Sequence, residues 1–250
     1  DQNSCDTNRR SCILSLEIIE MLNVICLKSG TKYSSEYVNK LYHMVERHLT
    51  IPHRFVCFTE DSEGIDSRVE IRPLPQDKSH LQGWWYKPYI FKADHFDKGD
   101  VNFYIDLDMV IVSNIDRLID YMPDSFVGLR DVGRVYVPNL SQVQSAVLRW
   151  NAGTFSDIWN DFENNPSIVE TFNGDQDWIY YFNWSNIHFF PDDWIRSYKW
   201  EIRSQSELNE SRMFKEIRNP KIPKDTSILA FHGLPDVHDV KDPVIVNNWR

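Results

Sequence analysis

Apolar runs divide the first third of the chain into alternating strands and helices. Residues 23–27, 54–59 and 69–74 are short runs rich in β-branched and aromatic residues, which is typical of buried strands. Ser34 or Ser35 can cap a helix between the first two runs. Its apolar stripe at helical spacing comprises Val38, Leu41, Tyr42, Val45 and Leu49, and Pro52 follows its end. This order of strand, helix and strand predicts an α/β sheet that is parallel at least in its first half.

The rest of the chain continues the alternation with less regular spacing. Residues 84–93 predict a helix with Pro88 in its first turn, and residues 101–112 predict a buried strand. Asn151-Ala152-Gly153 interrupts the pattern. Further strands are expected over 126–129, 143–149 and 228–231, further helices over 113–121 and 156–162, and a helix or a turn over 175–182.

Two aspartates interrupt the apolar run VNFYIDLDMVIV at residues 101–112. A buried carboxylate without a partner is costly, so it is normally protonated, paired or bound to a metal. If the backbone is extended, Asp106 and Asp108 point to the same side and both reach one cation. The alternative is a polar turn that joins two short strands. Turns favour Gly, Pro, Asn or Ser around the acid, whereas the neighbours here are Ile105, Leu107 and Met109.

Composition narrows the classes of function. The 250 residues, 42% hydrophobic and 14% aromatic, are enough for one globular domain, expected over residues 21–250 with residues 1–20 as an extension. The formal net charge of -10 argues against a nucleic-acid or anionic-membrane partner. No apolar run reaches transmembrane length. Cys26 and Cys57 lie in strand-like runs, as expected of buried reduced thiols, and the expected setting is cytoplasmic.

Motifs narrow the classes further. The sequence contains no GxGxxG, Walker loop, GxSxG elbow or HExxH. It does contain FYIDLDMVIVSNIDRL, WNAGTF, GDQDWI and ILAFHGLPD, in that order. Together these motifs resemble the metal-dependent GT-A glycosyltransferases, especially the glycogenin and lipopolysaccharide galactosyltransferase group. IRSYKW and FHGLPD also resemble a set of bacterial and phage glycosyltransferase-like proteins.

The resemblance implies an α/β GT-A fold, which is Rossmann-like with a mixed central sheet flanked by helices. It implies a hexosyltransferase that moves a sugar from a nucleotide-sugar donor, UDP-linked, to a carbohydrate or glycoconjugate acceptor, with retention and with Mn²⁺ or Mg²⁺. Two alternatives stay open. One is a sugar nucleotidyltransferase, although KSGTKY is a poor version of its glycine-rich basic loop. The other is a non-catalytic carbohydrate-binding module that keeps the fold.

The resemblance also assigns roles to residues. Asp106, Asp108 and His232 are the expected metal ligands. Asp175, Gln176 and Asp177 are the expected catalytic segment, whose carboxylates could hold sugar hydroxyls, stabilise positive charge at the anomeric carbon, or act as nucleophile or base. Ordinary structural explanations exist beside these, because acids also cap helix N-termini and a histidine can pack at a strand end. The expected donor-binding residues are Lys28, Gly30, Tyr33, Lys87, Asp131, Asn151, Ala152, Gly153, Lys199 and Gly233.

Overall fold

The computed structural model describes residues 20–76, 81–203 and 221–250. The predicted extension over residues 1–20 therefore lies, except for Glu20, outside the described residues. The described strands are β1 (Leu22–Lys28), β2 (His53–Thr59), β3 (Glu70–Pro73), β4 (Val101–Ile105), β5 (Met109–Ile111), β6 (Phe126–Arg130), β7 (Val143–Asn151), β8 (Ile187–Phe189), β9 (Ile195–Ser197) and β10 (Ile228–Ala230). The described α-helices are α1 (Ser35–His48), α2 (Asp116–Ile119), α3 (Asp157–Asn164), α4 (Ile168–Thr171), α5 (Asp175–Asn183) and α6 (Pro243–Asn248).

Seven of the described strands form one mixed sheet in the order β3-β2-β1-β4-β7-β6-β8. The strands from β3 to β4 are parallel, which confirms the prediction for the first half of the chain. β7 then runs antiparallel to both β4 and β6. β5, β10 and β9 form a second, three-stranded sheet.

The predicted strand over residues 101–112 is wrong as a single element. The chain leaves the large sheet after β4, turns through Asp106, Leu107 and Asp108, and enters the second sheet as β5. The amide of Met109 donates to the carbonyl of Asp106 at 3.3 Å, which closes this turn. The polar turn between two short strands, the alternative to a continuous strand, is therefore the observed conformation.

The helix expected over residues 84–93 is a 3₁₀ segment, Gly83–Phe91. Pro88 lies inside this segment, where it is buried, and not in the first turn as predicted. A 3₁₀ segment has its hydrogen bonds between residues three apart, and its short repeat places Trp85 and Lys87 under neighbouring elements. The 175–182 prediction is confirmed as α5.

The large sheet is covered on both faces. Along β1, Val24 and Cys26 belong to one apolar cluster with α1 and the second sheet, whereas Ile25 belongs to another with α3, α5 and the Gly83–Phe91 segment. This alternation explains why β1 is apolar at nearly every position. No helix among the described residues combines the length and apolar character that crossing a lipid bilayer requires.

Candidate functional site

The site is built around the end of β4, where the chain turns out of the large sheet. The amide of Asp106 donates to the carbonyl of Ala146 on β7 at 2.8 Å, so this carboxylate lies beside the first residues of β7. The hydroxyl of Tyr104, a buried residue of β4, donates to Asp106 Oδ1 at 2.5 Å. Burial, followed by the charge of Asp106, raises the pKa of Tyr104 well above its ordinary value, so the phenol stays protonated.

Lys87 joins the Asp106 turn to the start of α5. Its ammonium lies 3.0 Å from Asp106 Oδ1 and 3.3 Å from Asp175 Oδ2. It also donates to the hydroxyl and the carbonyl of Ser145 at 3.0 and 3.2 Å, and that hydroxyl donates to Asp175 Oδ2 at 2.5 Å. Burial lowers the pKa of Lys87, but the two carboxylates more than compensate and the net shift is upward. Lys87, which the resemblance assigns to donor binding, is therefore charged and already paired with both carboxylates.

A cavity of about 320 Å³ opens over this cluster. Its floor is formed by Lys87, Ser145 and Asp175, which are 4 to 6% exposed. Its other described lining residues are Trp84, Asp106, Gln144, Ala146, Asn173, Gly174, Gln176 and Asp177. The structure thus brings Asp106 together with all three residues of the predicted catalytic segment.

Asp108 faces a different neighbourhood from Asp106. Its Oδ2 accepts a hydrogen bond of 2.9 Å from the hydroxyl of Tyr33, which follows β1. Burial, followed by the charge of Asp106, raises the pKa of the Asp108 carboxyl. Two acids share this turn, and a cation beside Asp108 would relieve the repulsion between their charges.

His232, the predicted third metal ligand, follows β10. Its Nε2 lies 2.7 Å from the hydroxyl of Ser197, and its ring lies 4.3 Å from that of Trp200. Burial, and secondarily the charge of Lys199, lowers its pKa to about 4, so the imidazole is neutral at pH 7. The ammonium of Lys199 donates to the carbonyl of His232 at 2.7 Å and lies beside Gly233, so these three predicted residues are neighbours.

The three predicted metal ligands do not form a preformed set. Among the described residues, the group of His, Cys, Asp or Glu ligand atoms that lie within 4.8 Å of one another is Asp236, His238 and Asp239. His238 Nδ1 lies 2.5 Å from the hydroxyl of Tyr37. Tyr37 in turn packs against Tyr33, the partner of Asp108, with ring centres 4.8 Å apart.

Three other predicted donor-binding residues have partners of their own outside the cavity. Lys28 is buried at the end of β1, with its ammonium 4.0 Å from Asp61. Gly30 has a φ of +63° in the loop that follows, where its amide donates to Glu60. Asp131 accepts a hydrogen bond of 2.7 Å from the amide of Gly133 and so caps a 3₁₀ segment, which is the ordinary role of a turn aspartate.

Asn151, Ala152 and Gly153, which the resemblance assigns to donor binding, lie at the opposite end of β4 from Asp106. Asn151 pairs with Val101 at the start of β4, and the amide of Ala152 donates to the carbonyl of Asp100 at 2.8 Å. The loop therefore lies five residues of strand from Asp106, or about 16 Å at 3.3 Å per residue. β7 runs antiparallel to β4, so its first residues, and not its last, lie next to the aspartates.

Gln144 and Ser145 are among the cavity residues that the sequence did not predict, as are Trp84, Ala146, Asn173 and Gly174. The first two are polar residues at the beginning of a predicted strand, 38 and 39 positions after Asp106, and only the pairing of β7 with β4 brings them to the cavity. Gln144 Oε1 is buried and has no hydrogen-bond partner among the described residues.

Solved glycosyltransferase structures are similar in fold to this chain. GlyE, a glycosyltransferase of Streptococcus pneumoniae TIGR4, matches with a TM-score of 0.64 at 10% identity, over 91% of this chain and 60% of GlyE. An active-site mutant of LgtC matches with 0.61 at 10% identity, over 90% of this chain and 93% of LgtC. The bifunctional glycosyltransferase WbbM matches with 0.60 at 12% identity, over 94% of this chain and 50% of WbbM.

These likenesses confirm the predicted GT-A fold, and identities this low show the fold alone. The chain spans less than two thirds of GlyE and half of WbbM. Neither a protein-family model nor a curated protein matches the sequence.

Proposed function

From this shared fold, we propose that the protein transfers a sugar from a nucleotide-sugar donor, UDP-linked, to a carbohydrate or glycoconjugate acceptor. The observation that carries the proposal is the cavity at the end of β4, where Asp106 and the Asp175–Asp177 segment meet around one buried lysine. Ligands of open α/β sheets bind at the carboxyl ends of the strands, where this cavity lies. Because one fold hosts many functions, the proposed sugar transfer is argued from the side chains of this cavity and not from the fold alone.

The donor sugar is the group that suits the cavity. A volume of about 320 Å³ is at the lower end of the roughly 300–1,000 Å³ of ligand pockets, which favours a single sugar ring over a whole nucleotide sugar. Carboxylates line it together with Gln144 Oε1, which has no partner in the described part of the chain, and these groups accept hydrogen bonds from hydroxyls. A buried acceptor without a donor is costly, so a sugar hydroxyl directed at Gln144 would stabilise the complex.

The two acids of the Asp175–Asp177 segment differ in their freedom. Asp175 is held by Lys87 and by Ser145 at the cavity floor, so its role is to position its neighbours and the lysine. Asp177 is half-buried and accepts a hydrogen bond of 3.3 Å from the side-chain amide of Asn173. Its carboxylate oxygens can accept further hydrogen bonds. Asp177 is thus the better candidate to stabilise positive charge at the anomeric carbon or to act as nucleophile or base. We expect retention of configuration.

The nucleotide would lie on the Asp108 side, past the end of β1. Tyr33 presents a half-buried ring there, and Lys28 and Gly30 belong to the same strand end and loop. Lys199, His232 and Gly233 offer a second polar group for the diphosphate. Burial and the charge of Asp108 raise the pKa of Tyr33, so its hydroxyl remains a donor at neutral pH.

A divalent cation, Mn²⁺ or Mg²⁺, fits the Asp106 turn. The half-buried Asp108 carboxylate and the Asp106 carboxylate of the same turn offer the oxygen ligands that hard divalent ions prefer, and an ion there would share Asp106 with Lys87. Asp106 and Asp108 would hold the ion, with His232 as the predicted third ligand and His238 as its rival. A bound ion would supply neutralisation of the charge that develops on the departing diphosphate.

Calorimetric titration with UDP in the presence and absence of Mn²⁺ tests the nucleotide and metal assignments. We expect Mn²⁺-dependent UDP binding in the wild type and its loss in Asp108→Ala. His232→Ala and His238→Ala form a matched pair, and the variant that weakens Mn²⁺-dependent binding identifies the imidazole ligand. Binding of UDP that is equal with and without Mn²⁺, or unchanged in Asp108→Ala, would refute the metal site.

A screen of UDP-sugars for hydrolysis tests catalysis. We expect at least one donor to be hydrolysed, and Asp177→Ala to lower turnover far more than it lowers UDP affinity. An equal loss in both would reassign Asp177 to donor binding or to structure. Proton NMR of the released sugar before mutarotation reports its anomeric configuration, and an inverted product would overturn retention. A non-catalytic module would neither bind UDP nor hydrolyse any donor.

A further inference from the structure

The rim of the cavity differs chemically from its floor. The floor is charged and almost fully buried, whereas the rim contains the indole of Trp84, which is 59% exposed, and the exposed side chain of Asn173. An exposed aromatic residue needs no explanation when it stands alone on a surface. Trp84 requires one because it forms a wall of a polar cavity beside the Asp175–Asp177 segment.

The position of Trp84 is fixed from both sides. The next residue, Trp85, is buried and stacks on Phe162 of α3, with ring centres 5.6 Å apart. On the other side, the hydroxyl of Ser29 donates to the carbonyl of Gly83 at 3.1 Å. The indole also lies against the backbone of Gly174, where a Cβ would be 3.5 Å from Trp84 Nε1. The indole is therefore preorganised at the opening of the cavity, and a ligand that covered it would cause little loss of side-chain entropy.

We infer that Trp84 is the platform on which the acceptor stacks, and that this acceptor is a sugar residue of a glycan. The inference rests on the proposed function, in which the donor sugar fills the floor. A sugar ring has an apolar face of C–H groups and an edge of hydroxyls. The indole offers an apolar surface to that face, and Asp177 and Asn173 offer polar groups to that edge from the same rim. A stacked acceptor would direct a hydroxyl into the cavity toward the donor.

A glycan array probed with fluorescently labelled protein, saturated with UDP and Mn²⁺, tests the platform. We expect the wild type to bind a subset of glycans and Trp84→Ala to bind them at least ~10-fold more weakly. Trp84→Phe retains an aromatic face and should bind with intermediate strength. Trp184→Ala is the matched control, because Trp184 is 68% exposed at the end of α5 and is not among the residues lining the cavity. Melting temperatures establish that each variant is folded, and Trp84→Leu replaces Trp84→Ala if the alanine variant is not.

Each result bears on the inference separately from the proposed function. Glycan binding that Trp84→Ala retains, or that Trp184→Ala loses to the same extent, overturns the platform. So does a wild type that binds no glycan on the array although it binds UDP and Mn²⁺ in the calorimeter, since the acceptor would then belong to another class. A wild type that fails to bind UDP and Mn²⁺ contradicts the proposed function itself.

Discussion

An aspartate stands at each end of β4, buried at the start and half-buried at the end, and the two differ in how their oxygen atoms are used. Asp100, just before the strand, accepts from the amide of Met21 at 3.0 Å and from the side chains of Asn23 and Arg54 at 3.3 Å each. Asn23 also donates to Asn102 at 2.8 Å. The residues of this cluster satisfy one another, and the loop from Asn151 to Gly153 closes over them.

Asp106, just after the strand, belongs to a cluster that is only partly satisfied. Tyr104 and Lys87 contact it, but the cavity opens beside it and the neighbouring Gln144 Oε1 has no partner among the described residues. A buried polar cluster with all its hydrogen bonds made stabilises the fold, whereas one with open valences is poised for a ligand. The comparison distinguishes the structural carboxylate of Asp100 from that of Asp106, for which we propose a function, by whether the hydrogen bonds of the surrounding cluster are all made.

The largest expected effect comes from removing the Lys87 ammonium, which lies between Asp106 and Asp175. Lys87→Met leaves the buried Asp175 and the half-buried Asp106 without their shared cation, so we expect the free energy of unfolding to fall by about 3–5 kcal/mol in urea denaturation. Lys87→Arg, which keeps the charge, should lose less. A loss below about 1 kcal/mol for the methionine variant would mean that the two carboxylates do not depend on this ion pair.

Asp106→Asn should affect catalysis more than Asp100→Asn does. It removes a charge from the open cluster, so we expect hydrolysis of the UDP-sugar donor to fall at least ~100-fold, as for the loss of one preorganised electrostatic group. The initial rate with Mn²⁺ measures this effect. Asp100→Asn, at the opposite end of β4, is the control and should keep most of its activity per folded molecule. Equal losses in the two variants would erase the distinction between the two ends.

Asp100→Asn should in turn affect stability. Its carboxylate accepts three hydrogen bonds, one of them from a charged guanidinium, and we expect a loss of about 2–3 kcal/mol in the free energy of unfolding. Asp97→Asn is the matched control, because Asp97 is exposed three residues earlier in the same loop. If the two substitutions had the same effect, the satisfied cluster would not be a source of stability.

The smallest effect is a pH dependence near the Asp100 cluster. Burial lowers the pKa of His95 to about 4, and its neighbour Phe96 packs under Arg54. Below its ordinary pKa of about 6.5 the unfolded chain binds a proton that the folded chain binds only near pH 4. Stability should therefore fall as the pH drops from 6.5 toward 4, with about 2 kcal/mol lost between pH 7.5 and pH 5.

His95→Gln isolates that contribution, because the other titrating groups are common to both proteins. Urea denaturation at pH 7.5 and pH 5 should show a smaller loss for the variant than for the wild type. Identical losses would mean that His95 titrates alike in the folded and unfolded states.

Local pattern determined the elements that bury apolar residues. The five-residue stripe from Val38 to Leu49 predicted α1, and the apolar runs predicted β1 and β2, because burial on a helix or strand imposes its own period on the sequence. The acids at 106, 108, 175 and 177 were identifiable for a related reason, since they interrupt or begin such elements. The resemblance of four ordered motifs then predicted the fold that the glycosyltransferase structures share.

Tertiary structure alone decided which of these residues meet. The antiparallel direction of β7 put Gln144 and Ser145 at the cavity and carried Asn151 to Gly153 to the other end of β4. The turn gave Asp106 and Asp108 different partners, Lys87 for one and Tyr33 for the other, and Lys87 pairs with both Asp106 and Asp175. Periodicity records how often a side chain is buried, but strand direction and partner choice depend on packing between distant segments, which no local pattern contains.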